Sequence, residues 1–167
     1  MNYIKITKND IANGPGVRCV LWVAGCGLRC RNCQNPSTWD FNSGKLFDED
    51  VKEALFQALS KPYIQGLTIS GGHPLAPKNF DTVLNLAKEV KSKFPTKDIW
   101  LYTGYTYEEL YYKEMSRILL YIDVLVDGPY IEEQRDITLK FRGSRNQRLI
   151  DVKETLKQGK IVTIQND

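Results

Sequence analysis

Five short apolar runs, Cys19–Val23, Leu67–Ile69, Ile99–Tyr102, Ile122–Val126 and Ile161–Ile164, punctuate the chain, and most are nearly continuous rather than alternating in polarity. Runs rich in β-branched and aromatic residues and apolar on both sides suit strands buried within a parallel sheet. Helical stripes fall between them. Over 48–60, Val51, Ala54, Leu55, Ala58 and Leu59 recur at helical spacing behind Asp48, which is suited to the N-cap. Over 79–94, Phe80, Val83, Leu84, Ala87 and Val90 repeat the stripe, and Pro95 closes it. The segment 106–120 is helical in composition with a less regular period, and a short helix over 151–158 ends at Gly159. Strand and helix thus alternate at least four times, which predicts an α/β fold of right-handed βαβ units. A length of 167 residues fits a single domain, 1–167, able to bury a core without disulfides.

In such folds the loops at the carboxyl ends of the strands build the site. Gly25–Pro36, Ser70–Pro74 and Thr103–Tyr105 follow the first three runs and are therefore expected on one rim. The least regular stretches are 24–47, which includes a cysteine loop at 24–35, and the 128–148 loop. Lysine and arginine total 23 against 20 acidic residues, a net charge of +3, which gives no footprint for nucleic acid. The basic segment Lys140–Arg148 lacks the interleaved aromatics of such binders, and its Gly143-Ser144 and Asn146-Gln147 pairs favour a docking or cradling loop over a solvated one. Thr103-Gly104 either contacts a bound ribose or is an ordinary strand end, and Asp127 either faces the site or caps a turn. No apolar stretch reaches the roughly 20 residues that span a bilayer. No signal pattern opens the sequence, so the expected compartment is the cytoplasm.

Of four cysteines, Cys26, Cys30 and Cys33 fall within eight residues, spaced by three residues and then two. Structural zinc wants four ligands, usually as two separated pairs. Here the fourth would have to be Cys19, which sits in an apolar run and is expected to be buried, or His73, the only histidine. A four-iron cubane suits the triad better. Three thiolates cap three irons and leave the fourth open to a chelating small molecule, whereas an electron carrier would close all four. A non-enzymatic zinc or iron–sulfur module remains the alternative.

The triad after a first strand, followed by Ser70-Gly71-Gly72-His73-Pro74-Leu75 after the next, resembles the radical S-adenosylmethionine superfamily. Asn13–Arg18, Asn35–Trp39, Lys97–Tyr105, Asp123–Gly128 and Phe141–Gln147 are similar to its branch that activates anaerobic ribonucleoside-triphosphate reductases. The resemblance implies a partial parallel (β/α) barrel with a lateral gap, and a [4Fe–4S] cluster on Cys26, Cys30 and Cys33. It also implies S-adenosylmethionine beside Asn32, Cys33, Gln34, Gly71, Gly72 and His73. A flavodoxin-like donor would reduce the cluster, S-adenosylmethionine would be cleaved to a 5′-deoxyadenosyl radical, and that radical would take hydrogen from a glycine of the large glycyl-radical subunit. No catalytic side chain is expected, because the cofactor carries the chemistry. Other radical enzymes, such as a different activase or a deazapurine-forming synthase, are the alternative in this superfamily. His73 stands where an acidic residue is usual. A neutral imidazole can accept a hydrogen bond from the methionyl amine and an imidazolium cannot, so affinity is expected to fall as His73 titrates.

Overall fold

A computed structural model describes residues 1–165. Seven strands form one sheet: β1 (Asn2–Asp10), β2 (Val17–Val23), β3 (Lys45–Leu46), β4 (Ile64–Gly71), β5 (Asp98–Tyr102), β6 (Val124–Asp127) and β7 (Arg148–Asp151). Their order is β3-β1-β2-β4-β5-β6-β7. Neighbours among β2, β4, β5 and β6 run parallel, while β1 and β7 flank them antiparallel. The parallel core comes from four of the apolar runs, joined through α1 (Glu49–Leu59), α2 (Pro77–Lys93) and α3 (Tyr107–Tyr112); α4 (Val152–Gln158) follows β7.

Local signals set most boundaries. Asp48 accepts the Val51 amide at 3.0 Å as the N-cap of α1. Thr106 and Glu109 form a reciprocal capping box on α3. Gly159 ends α4 in the left-handed conformation, at φ +65°. The irregular 106–120 segment divides into α3 and a 3-10 turn at Ser116–Leu120, with Glu114 at φ +56° between them. Two expectations change. The run Ile161–Ile164 is not a strand but a single bridge from Thr163 to Ile150. The flanking strands β1, β3 and β7 add to the predicted parallel set: β1 is half-exposed, β3 is exposed, and β7 buries only Leu149 and Ile150, too short an apolar run to signal a strand.

Side chains alternate across the sheet. Cys19, Leu21, Val23, Leu67, Ile69, Ile99, Leu101, Leu125 and Ile150 join the main core together with the buried residues of the helices. The opposite face carries Trp22, Ser70 and Tyr102, and a smaller cluster of Trp100, Val124, Val126 and Leu149. Cys19 is buried as expected, its thiol 3.6 Å from the Lys8 carbonyl.

Arg18 lies under the second face with no exposed surface. Its Nε donates to Thr68 Oγ1 at 2.8 Å, one terminal nitrogen reaches the Leu67 carbonyl and the Asp98 carboxylate, and the guanidinium sits over Trp100. Burying a charge demands this degree of pairing. Gly14, at φ +137°, lets the preceding loop lie on Arg18, since a Cβ there would stand 2.8 Å from Arg18 Cδ.

Candidate cofactor site at the carboxyl ends of the parallel strands

The loop after β2 and the turn after β4 are clipped together by backbone hydrogen bonds. Gly72 N donates to Val23 O and His73 N to Gly25 O, each at 2.8 Å. Gly25 N and Cys26 N donate to Thr38 O and Trp39 O at 2.7 and 3.0 Å, so the Asn35–Trp39 segment, wound into a short 3-10 turn behind Pro36, props the cysteine loop from behind. Asn79, buried in the first turn of α2, donates from Nδ2 to both Ala24 O (2.9 Å) and His73 O (3.1 Å), tying loop to turn. Gly72 is confined, because a Cβ there would lie 2.6 Å from Gly25 O.

Above this clip lies a cavity of about 430 Å³. Cys26, Cys30 and Cys33 all line it, as do Gln34, Gly71, Gly72 and His73. Asn32 does not; it is exposed, at φ +54°, a conformation asparagine tolerates. The three thiols are free, and all four cysteines lack disulfides. Burial pushes the Cys30 thiol up and Cys26 and Cys33 add to the rise, while the Tyr130 backbone opposes it. Among the described residues no three His, Cys, Asp or Glu side chains gather around one point as a single metal ion requires. The three thiols nevertheless line one cavity, and a four-iron cluster takes one thiolate per iron rather than all of them on one ion.

His73 is 2% exposed and turned inward. Its Nε2 is 2.9 Å from Thr103 Oγ1, which also accepts the Tyr105 amide at 3.1 Å, and the Tyr105 ring meets the imidazole edge-on. Burial, with Lys113 second, pushes its pKa down to about 4. The titration expected to weaken binding is thereby displaced to about pH 4, and the imidazole is neutral across pH 6–8. Thr103 does line the cavity. Asp127 does not: it is buried against Arg148 and accepts the Tyr107 amide at 2.7 Å, at the start of α3.

The 128–148 loop lines one side of the cavity, and hydrogen bonds hold the backbone of its basic segment while Lys140 and Arg145 stay exposed. Gln147 Oε1 accepts the Gly143 and Ser144 amides at 2.9 and 3.2 Å, and its Nε2 reaches Gly128 O at 3.2 Å. Ser144 is fully buried and accepts the Ile131 amide. Tyr102 donates to Phe141 O at 2.8 Å, fastening the loop to β5. Asn79 is a site-building residue that no sequence motif singles out, and the pairing of Tyr102 with Phe141 joins two motifs that the sequence leaves unconnected. No helix among the described residues is long and apolar enough to cross a membrane.

A protein-family model described as a 4Fe-4S single cluster domain matches residues 12–150. The chain is 48% identical over 149 residues to the anaerobic ribonucleoside-triphosphate reductase-activating protein of Enterobacteria phage T4, covering 89% of this chain and 93% of that one. Proteins of the same name from Haemophilus influenzae and Escherichia coli are 46% and 42% identical, each over 88% of this chain and 96% of theirs.

Proposed function

The chain belongs to the 4Fe-4S single cluster domain family and to the anaerobic ribonucleoside-triphosphate reductase-activating proteins within it, and from that premise we propose that it is a radical S-adenosylmethionine enzyme that installs a glycyl radical in such a reductase. Cys26, Cys30 and Cys33 would hold a [4Fe–4S] cluster. Once reduced by a flavodoxin-like donor, a cluster held there would supply one electron to the sulfonium of S-adenosylmethionine, releasing methionine and a 5′-deoxyadenosyl radical that would take hydrogen from a glycine of the large reductase subunit. The observation that carries this reading is the convergence of three free thiols and a Gly-Gly-His turn on one cavity.

The chain's own residues bind, orient and exclude water. Three thiolates leave one position of a four-iron cluster without a protein ligand, which is the requirement for chelating a small molecule. Gly71 and Gly72 bring backbone to the cavity wall without side chains, and neutral His73 offers imidazole chemistry without repelling a cationic guest. Cys33 and Gln34 would flank S-adenosylmethionine; Asn32 would act through the loop conformation it adopts rather than from the cavity wall. Among the described residues, α1, α2, α3 and α4 all contribute to the core on the far face of the sheet, which supports the partial-barrel reading of a single domain. A lateral gap in such a barrel would suit a protein substrate delivered as a loop, and the cytoplasm is the compartment that would keep the thiols reduced.

The test is anaerobic reconstitution followed by an iron and sulfide count and an assay for 5′-deoxyadenosine. Four irons and four sulfides per chain, S-adenosylmethionine cleavage, and a glycyl doublet in electron paramagnetic resonance after mixing with the reductase are the expected results. One zinc without sulfide, or a cluster that leaves S-adenosylmethionine intact, overturns the proposal.

A further inference from the structure

Arg142 lines the cavity from the 128–148 loop, and among the described residues no other arginine, lysine or carboxylate lines it. With His73 neutral, Arg142 is the one permanently charged residue of that wall beside the thiols, and it stands between this cavity and a second one that Arg145 and Arg148 also line. Its Nε is shielded from solvent and has no hydrogen-bond partner. The neighbouring arginines differ: Arg145 pairs with Asp136 at 3.0 Å, and Arg148 pairs with Asp127 and Glu108. A shielded guanidinium nitrogen without an acceptor costs free energy, and a ligand that brings an anionic acceptor removes that cost.

The loop that presents Arg142 is preorganised. Gln147 bonds the Gly143 and Ser144 amides and the Gly128 carbonyl, and Asn146 Nδ2 donates to Pro129 O at 2.7 Å. Gly143 presses on the segment that follows Cys33, since a Cβ there would stand 2.9 Å from Gln34 Nε2. Arg142 is therefore held on the same cavity as the three thiols by contacts that do not involve its own side chain.

We propose that Arg142 receives the α-carboxylate of S-adenosylmethionine and is the residue that selects the amino-acid end of that molecule. The proposal rests on the reading above that S-adenosylmethionine is the cavity's guest. The guest carries a sulfonium and an ammonium, which a guanidinium repels, and one anionic group, the carboxylate, whose two oxygens match the guanidinium fork. A cavity whose single fixed charge is an unpaired arginine fixes which end of the guest faces that wall.

The experiment measures equilibrium dialysis of S-adenosylmethionine and of its decarboxylated analogue against anaerobically reconstituted, oxidised protein, with iron and sulfide counted in each sample. Wild type, Arg142→Met and Arg142→Lys are compared. Arg142→Met is expected to weaken S-adenosylmethionine by about 10–100-fold, the range for a hydrogen bond between charged groups. The decarboxylated analogue should bind both proteins alike, and Arg142→Lys should restore part of the loss. Iron coordination contributes to the preference in every variant, so the change in the ratio between the two molecules is the quantity read. An unchanged ratio overturns the proposal, whether both affinities fall together or neither does. Intact S-adenosylmethionine binding with lost reductase activation also overturns it and assigns Arg142 to the protein partner. If Arg142→Met does not fold, Arg142→Gln is read in the same way. Wild type that holds a cluster yet binds no S-adenosylmethionine removes the functional reading itself, a result distinct from the others.

Discussion

His73 has its imidazole sealed between Thr103 and Tyr105, where burial holds its pKa at about 4. In the unfolded chain the same ring protonates near its ordinary value of roughly 6.5. Between those values the unfolded state binds a proton that the folded state refuses. Stability contributed by this ring is therefore intact above about pH 6.5 and is lost as pH falls towards 4. From pH 7 to pH 5 the loss is about 2 kcal/mol. Anaerobic urea unfolding of wild type and His73→Gln at the two pH values measures it: the wild type should lose about 2 kcal/mol more than the variant, and equal losses would show that the ring titrates normally. Legibility at this scale follows the range of the interaction. The three cysteines and the Gly-Gly-His turn are coded by spacing within a few residues. The Asn79 clamp on Ala24 acts across 55 residues, and the isolation of Arg142 depends on what its neighbours pair with, so neither is written in a local pattern.

The clip between the cysteine loop and the glycine turn is the element on which the site depends. Gly72 is not in the left-handed region, so alanine is allowed by its backbone, but the added Cβ would stand 2.6 Å from Gly25 O and 2.9 Å from Thr38 O. Both contacts are backbone, and relief requires moving the turn away from the loop. Overpacking of this kind costs about 1–3 kcal/mol. Gly72→Ala is expected to lower the melting temperature by roughly 2–10 °C and, if the whole misfit falls on the site, to weaken S-adenosylmethionine binding by about 5–150-fold, since each 1.4 kcal/mol is a factor of ten. Calorimetry beside equilibrium dialysis separates the two effects; a variant that melts early yet binds normally would mean that the clip does not position the cofactor. The helices and the parallel strands at this scale were legible because caps and apolar runs are local signals: Asp48, Gly159 and the Cys19–Val23 run each do what their residue types favour. β1 was not, because its residues are half-exposed and owe their pairing to β2 rather than to their own burial. The Ile161–Ile164 run failed for the converse reason, with Thr163 finding a bridge to Ile150 but no continuing ladder.

For the molecule as a whole, the sheet separates support from chemistry. The helices and the main core cover one face, while the other carries the cavity, the Arg18 network and the 128–148 loop. The two faces differ in how they hold together. The helix-covered face is packed by apolar burial along β2, β4 and β5, whose side chains there are inaccessible. The cavity face is closed by a loop held through individual hydrogen bonds such as Tyr102 to Phe141 O and Gln147 to Gly128 O. Opening free energies should follow that difference, highest where apolar contacts are many and lowest where a few bonds suffice. Hydrogen exchange on the reconstituted protein should therefore be slowest in β2, β4 and β5 and faster over 24–36 and 132–146. Adding S-adenosylmethionine should slow exchange over 140–147 and 70–73, which wall the cavity, and leave α4 unchanged, because α4 lies beyond β7 on the helix-covered side. Protection spread evenly over the sheet would indicate global stabilisation by a ligand bound elsewhere. Protection confined to the cysteine loop would mean that the 128–148 loop is a surface for the reductase rather than part of the cofactor's enclosure.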